Sequence, residues 1–143
     1  MNAATLTTWV FVAGVSQFAI ITASLGVPSV LNWKAELAQL RPLNRQIFTT
    51  YAGYILGTNL AFALLSTFDP GLLVEQSPLA GWVSGFIALY WGVRLLLQFA
   101  YYRGDRPTGA QYVVAEFVFS ALFLGLVVIY GLCCYHTVSG PKF

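Results

Sequence analysis

The chain has 143 residues, 58% of them apolar and only 8% charged, where soluble domains run near a quarter charged. With a mean hydropathy of +0.73 on 15.7 kDa, it exceeds what a water-exposed surface absorbs and reads as a single all-α integral-membrane domain over residues 1–143, partnered first of all by the lipid bilayer. Its net charge of +2 is too small for a nucleic-acid footprint, so no nucleic-acid partner is expected.

A helix needs ~20 apolar residues to cross a ~30 Å hydrocarbon core. The first such stretch, about 8–31, carries no charge. Met1 to Thr8 lacks a positive n-region, so this span is read as retained and not as a cleavable signal peptide. In the segment 33–41, Trp33, Leu37 and Leu40 fall at i, i+4 and i+7, with Lys34, Glu36 and Arg41 elsewhere. That pattern predicts a short interfacial helix lying among the headgroups until Pro42 ends it. The second span, about 46–68, is again uncharged, the third, about 79–102, contains only Arg94, and the fourth, about 111–135, only Glu116. Length selects helix here, because a barrel strand needs only ~10 residues of alternating pattern. A four-transmembrane-helix up-and-down bundle is predicted.

Lys34, Arg41 and Arg45 lie between spans one and two, and Arg103 and Arg106 between spans three and four, while the loop between spans two and three has Asp69 and Glu75 and no base. This asymmetry puts both termini on the non-cytoplasmic side, and in a bacterial host it puts the chain in the inner membrane. Trp9, Trp33, Trp82, Tyr101, Tyr102, Tyr112 and Tyr135 sit near span ends, as an aromatic belt does.

Helices in lipid associate through close van der Waals contact, which small residues permit. Thr49, Gly53, Gly57 and Ala61 recur every fourth residue of span two, Gly81 and Gly85 share that spacing in span three beside a row of Ser84, Ala88 and Gly92, and span four offers Ala121 and Gly125. These rows are expected to be helix-packing faces, either within the bundle or toward a homo-oligomer or other membrane subunits.

The intramembrane polar residues need partners. Arg94 lies eight residues before Tyr102 and Glu116 five residues into span four, so at ~1.5 Å per residue they stand ~12 and ~8 Å from the same surface. Either a salt bridge locks this hairpin, or Arg94 faces a cavity on the cytoplasmic side. In the second reading Arg94, Gln98 and Tyr101, at i, i+4 and i+7, present a cation, an amide and a phenol on one face. Such a face suits an anionic head group, a carboxylate or a thiolate. Gln17 and Asn59 lie near mid-membrane, to line the same interior or to hydrogen-bond between helices.

Cys133, Cys134 and His136 do not make a zinc ligand set, and one histidine provides no bis-His haem pair. No Ser-His-Asp set, Walker loop or Gly-x-Gly-x-x-Gly is present. No metal or resident cofactor is expected.

Arg94, Tyr101, Tyr102, Gly104 and Pro107, in the stretch RLLLQFAYYRGDRP, resemble part of the MAPEG family, small four-helix membrane proteins that include the microsomal glutathione transferases. That resemblance implies a trimer with a cytoplasm-facing glutathione site, Arg94 stabilising the thiolate and Tyr101 or Tyr102 holding the peptide. The family's other signature departs: Arg41 and Asn44 are closer together than its pattern, and Ile47 stands where Glu is expected. More broadly, PLNRQIFTTYAGYI and GFIALYWGVRLLLQF resemble segments of small bacterial four-span proteins of unassigned function, a likeness that implies no chemistry.

Three functions follow from these features. The surplus of small-residue faces without a catalytic constellation points first to a non-catalytic accessory or structural subunit of a larger membrane complex. The alternatives are a MAPEG-like glutathione-dependent transferase, and a small carrier or lipid- or quinone-binding protein using Arg94, Gln98 and Glu116.

Overall fold

A computed structural model describes residues 2–100 and 109–139. Five α-helices follow one another: α1 (Ala3–Val30), α2 (Trp33–Ala38), α3 (Pro42–Phe68), α4 (Pro78–Ala100) and α5 (Ala110–Ser139), with one 3-10 turn at Pro70–Leu73. There is no strand among the described residues, and α1, α3, α4 and α5 are each long and apolar enough to cross a membrane.

Local chemistry sets the ends of these helices. Asn2 caps α1, its side chain accepting from the Thr5 amide at 2.8 Å. Asn32, at φ 48° and ψ 44°, takes the left-handed conformation that asparagine tolerates and turns the chain from α1 into α2. Helix α2 ends at Ala38 and lays Trp33 edge-on against Phe48 of α3, with 4.9 Å between centroids. Pro42 does more than end the interfacial segment. It opens α3 at the first helical position, where its fixed φ suits a helix and no amide is missed. Helix α3 therefore starts a turn before the uncharged stretch and carries Arg45 in its first turn, from which a long cation can reach the membrane surface.

The four long helices run antiparallel in sequence. Gly14 of α1 meets Ser66 and Thr67 of α3, while Gly81, Gly85 and Gly92 of α4 meet Thr137, Cys134 and Val127 of α5 in descending order. Phe62 of α3 packs edge-on against Phe86 and Tyr90 of α4, at 6.1 and 5.3 Å. Helix α1 also packs on α5, which closes the ring of four.

Burial is uneven along this ring. The buried residues lie within 6–20 of α1, 59–66 of α3, 80–91 of α4 and 123–133 of α5, joined by Leu73 and Val74 of the turn. All belong to the end of the bundle that contains the 3-10 turn. At the opposite end, residues 21–30, 42–58, 92–100 and 110–122 include no buried side chain. The bundle is packed at one end and open at the other. Its outer surface is apolar to a degree that suits lipid: Trp82, Phe68, Phe117 and Leu79 are each more than 70% exposed.

Candidate functional site

At the packed end several buried polar side chains hydrogen-bond between helices. Gln17, fully buried on α1, donates from Nε2 to the Tyr130 hydroxyl at 2.6 Å and to the Ala13 carbonyl at 3.3 Å. The same hydroxyl lies 2.5 Å from Ser66 Oγ, so Tyr130 joins three helices through one oxygen. Asn59 accepts from the Tyr90 hydroxyl at 2.7 Å, linking α3 to α4, and Ser84 donates to the Leu73 carbonyl at 3.1 Å. In lipid no water competes for such groups, which favours these inward hydrogen bonds. Gln17 and Asn59 thus hydrogen-bond between helices, and neither is among the described residues that line the cavity at the open end.

The open end contains a cavity of about 630 Å³ between α1, α4 and α5. Helix α1 supplies a wall running from Ile20 to Leu31, which is apolar apart from Ser24. Pro28 interrupts the amide ladder in that wall, having no N–H to give the Ser24 carbonyl one turn back. Helix α4 contributes Arg94, Leu97 and Gln98, and α5 adds Phe119, Phe123 and, toward its start, Gln111 and Tyr112.

Arg94 is the one charged side chain among the described lining residues. It is half-buried, and its guanidinium carbon stands 5.9 Å from the centroid of Phe123, a ring that also stacks on Trp91 at 5.2 Å. A cation over a ring gains ~0.5–2 kcal/mol, against ~2.5–3.5 kcal/mol for carrying a charge to the middle of a span. Arg94 does not form the bridge to Glu116 that the hairpin spacing permits. The residue facing Glu116 is Gln98, one turn further along α4, whose Nε2 donates to the Glu116 carbonyl at 3.1 Å and to Ser120 Oγ at 3.0 Å. Gln98 therefore ties α4 to α5 at the cavity edge while Arg94 sits a turn deeper, opposite Phe123. Tyr101 and Tyr102 lie outside the described residues.

The small-residue rows divide by use. A methyl group on Gly81 would stand 2.9 Å from Thr137 Oγ1, and one on Gly85 3.2 Å from Cys134 Sγ, so these two glycines form the crease between α4 and α5. Gly14, which the spacing rules did not single out, allows the closest approach of all: its added carbon would fall 2.8 Å from the Thr67 amide nitrogen. On α3 the outcome is the reverse. Gly53, Gly57 and Ala61 are exposed, and nothing lies within 4 Å of a carbon added at either glycine. Ala121 is exposed and Gly125 likewise has open space beside it. Among the described residues, the glycines of these rows have no neighbour at close-contact distance.

Among the described residues no three His, Cys, Asp or Glu side chains are grouped to hold a metal, and Cys133 and Cys134 are free thiols. In comparisons with family models, curated proteins and solved structures, the chain matches none. The likeness of the Arg94 stretch to the MAPEG family accordingly finds no support, while four membrane-length helices are consistent with a small four-span protein.

Proposed function

We propose that this chain is a non-catalytic membrane subunit that offers the outward face of α3 to a helix of a partner membrane protein. The observation that carries the reading is the exposed row of Gly53, Gly57 and Ala61. Elsewhere in the same bundle glycine serves close helix contact, at Gly14, Gly81 and Gly85. On α3 two glycines stand in a helix interior, where each costs up to ~1 kcal/mol relative to alanine, with no close contact among the described residues in return. A partner helix approaching along that row would supply the missing contact, as small-xxx-small faces do.

The orientation of the chain belongs to this proposal. Lys34, Arg41 and Arg45 gather at the open end of the bundle, and Asp69 and Glu75 at the packed end. The bias of basic residues toward the cytoplasm supports both termini facing away from it, with the open end inside.

Native mass spectrometry of the chain extracted in mild detergent from its own membrane tests the reading. Foreign subunits in fixed ratio, lost in Gly53→Leu and Gly57→Leu, are the expected result. A stable homo-oligomer that turns over a substrate would overturn it.

A further inference from the structure

We infer that the cavity at the open end is a binding site for an anionic amphiphile, with a carboxylate or phosphate head on the Arg94 guanidinium and an apolar chain along the α1 wall. The volume of about 630 Å³ falls within the ~300–1,000 Å³ of small-molecule sites. Its composition is that of an amphiphile's counterpart. One side is a surface from Ile20 through Val27 to Leu31 that is apolar apart from Ser24, and the other presents a single cation.

The charge balance points to the sign of the ligand. None of the described lining residues is acidic, no described carboxylate is paired with the Arg94 guanidinium, and the face of Phe123 stands against it. A guanidinium keeps five donors in a rigid fork and does not lose its charge, so in a site walled by hydrocarbon it favours a bidentate oxyanion over a neutral ligand. Gln98 is not available for this purpose, because its amide is committed to the Glu116 carbonyl and Ser120. Arg94 is therefore the group that selects. The basic residues Lys34, Arg41 and Arg45 follow α1 at the same end of the bundle and favour the approach of an anion.

Free fatty carboxylates and anionic phospholipids share this chemistry, and the assay separates them. The full chain in a neutral maltoside detergent is titrated with oleate and with phosphatidylglycerol, using oleyl alcohol and phosphatidylcholine as uncharged or zwitterionic counterparts. Melting temperature and retained 1:1 adducts in native mass spectra are the readouts. The expected result is binding of an anionic probe, weakened about ten- to hundredfold in Arg94→Gln, as loss of a charged hydrogen-bond partner implies, and largely kept in Arg94→Lys. A response to oleate alone identifies a fatty carboxylate, and a response to phosphatidylglycerol alone identifies a membrane lipid. Equal binding of the oleyl alcohol and phosphatidylcholine counterparts, binding of neither anion, or unchanged affinity in Arg94→Gln would overturn the inference. Gly26→Leu provides a second variant should Arg94→Gln fail to fold, since Gly26 lines the cavity with open space beside it. Filling that wall is expected to abolish binding with Arg94 intact, and unchanged affinity there also overturns the inference.

Discussion

Gly14 and Thr67 bring the backbones of α1 and α3 together so closely that a single added carbon on Gly14 would lie 2.8 Å from the Thr67 amide nitrogen. The obstacle is main chain, which cannot rotate aside. Gly14→Ala is therefore expected to destabilise the bundle by roughly 1–3 kcal/mol, the cost of overpacking a well-filled contact. Gly125→Ala, with nothing within 4 Å, is expected to leave stability unchanged or raise it by up to ~1 kcal/mol. Thermal melts of the two variants in one detergent check the contrast. Equal loss in both would mean that Gly14 does not set the α1/α3 distance.

The hydroxyl of Tyr130 gives a second prediction. It receives the Gln17 amide at 2.6 Å and faces Ser66 Oγ at 2.5 Å, in a core where all three residues are fully buried. Tyr130→Phe keeps the ring and removes the shared oxygen. Interhelical hydrogen bonds in membranes average ~0.6 kcal/mol with a maximum near ~1.7, so a loss of about 1–2 kcal/mol is expected for two contacts broken at once. Gln17→Leu should cost less in the Tyr130→Phe background than in the parent, which a double-mutant cycle read by melting will show.

How much of this was legible beforehand depends on the kind of signal. Spans were legible because the charges leave membrane-length gaps, and lipid admits no other regular structure of that length. Helix ends were less so. The start of α3 at Pro42 follows from proline's tolerance of the first helical turn, which a count of uncharged residues overlooks. Partner choice was harder still. Spacing placed Gly53, Gly57, Gly81 and Gly85 on faces, but a row of small residues has the same pattern whether it meets α5 or an outside helix. Gly14 escaped because it stands alone in α1, without a second small residue four positions away to make a row. Tyr130 and Tyr90, the partners of Gln17 and Asn59, were hidden for a related reason. A tyrosine in an apolar run looks like bulk until its hydroxyl has a neighbour. The hairpin spacing allows Arg94 either a bridge or a cavity, because spacing alone does not tell that Gln98, one turn further along α4, is the residue level with Glu116 of α5.

The enzyme alternative makes its own test. A glutathione site at Arg94 would raise the melting temperature at millimolar glutathione, because any ligand that prefers the folded state stabilises it by mass action. The non-catalytic reading expects no shift, in wild type and in Arg94→Gln alike. A shift that vanishes in Arg94→Gln would reinstate the transferase.

Sidedness is the last prediction, and it determines which compartment can load the cavity. Lys34 on α2 and Glu75 after the 3-10 turn are both exposed and mark opposite ends of the bundle. With the native thiols removed as Cys133→Ala and Cys134→Ala, one new cysteine at each site reports its side to a membrane-impermeant maleimide. The basic loops predict that Glu75→Cys is labelled in intact cells and that Lys34→Cys is labelled only after permeabilisation. That outcome opens the Arg94 cavity to the cytoplasmic leaflet, so its ligand would come from lipid or amphiphile on the inner side. The reverse pattern would open it outward, and the anionic inner-leaflet lipids would then be excluded as its source.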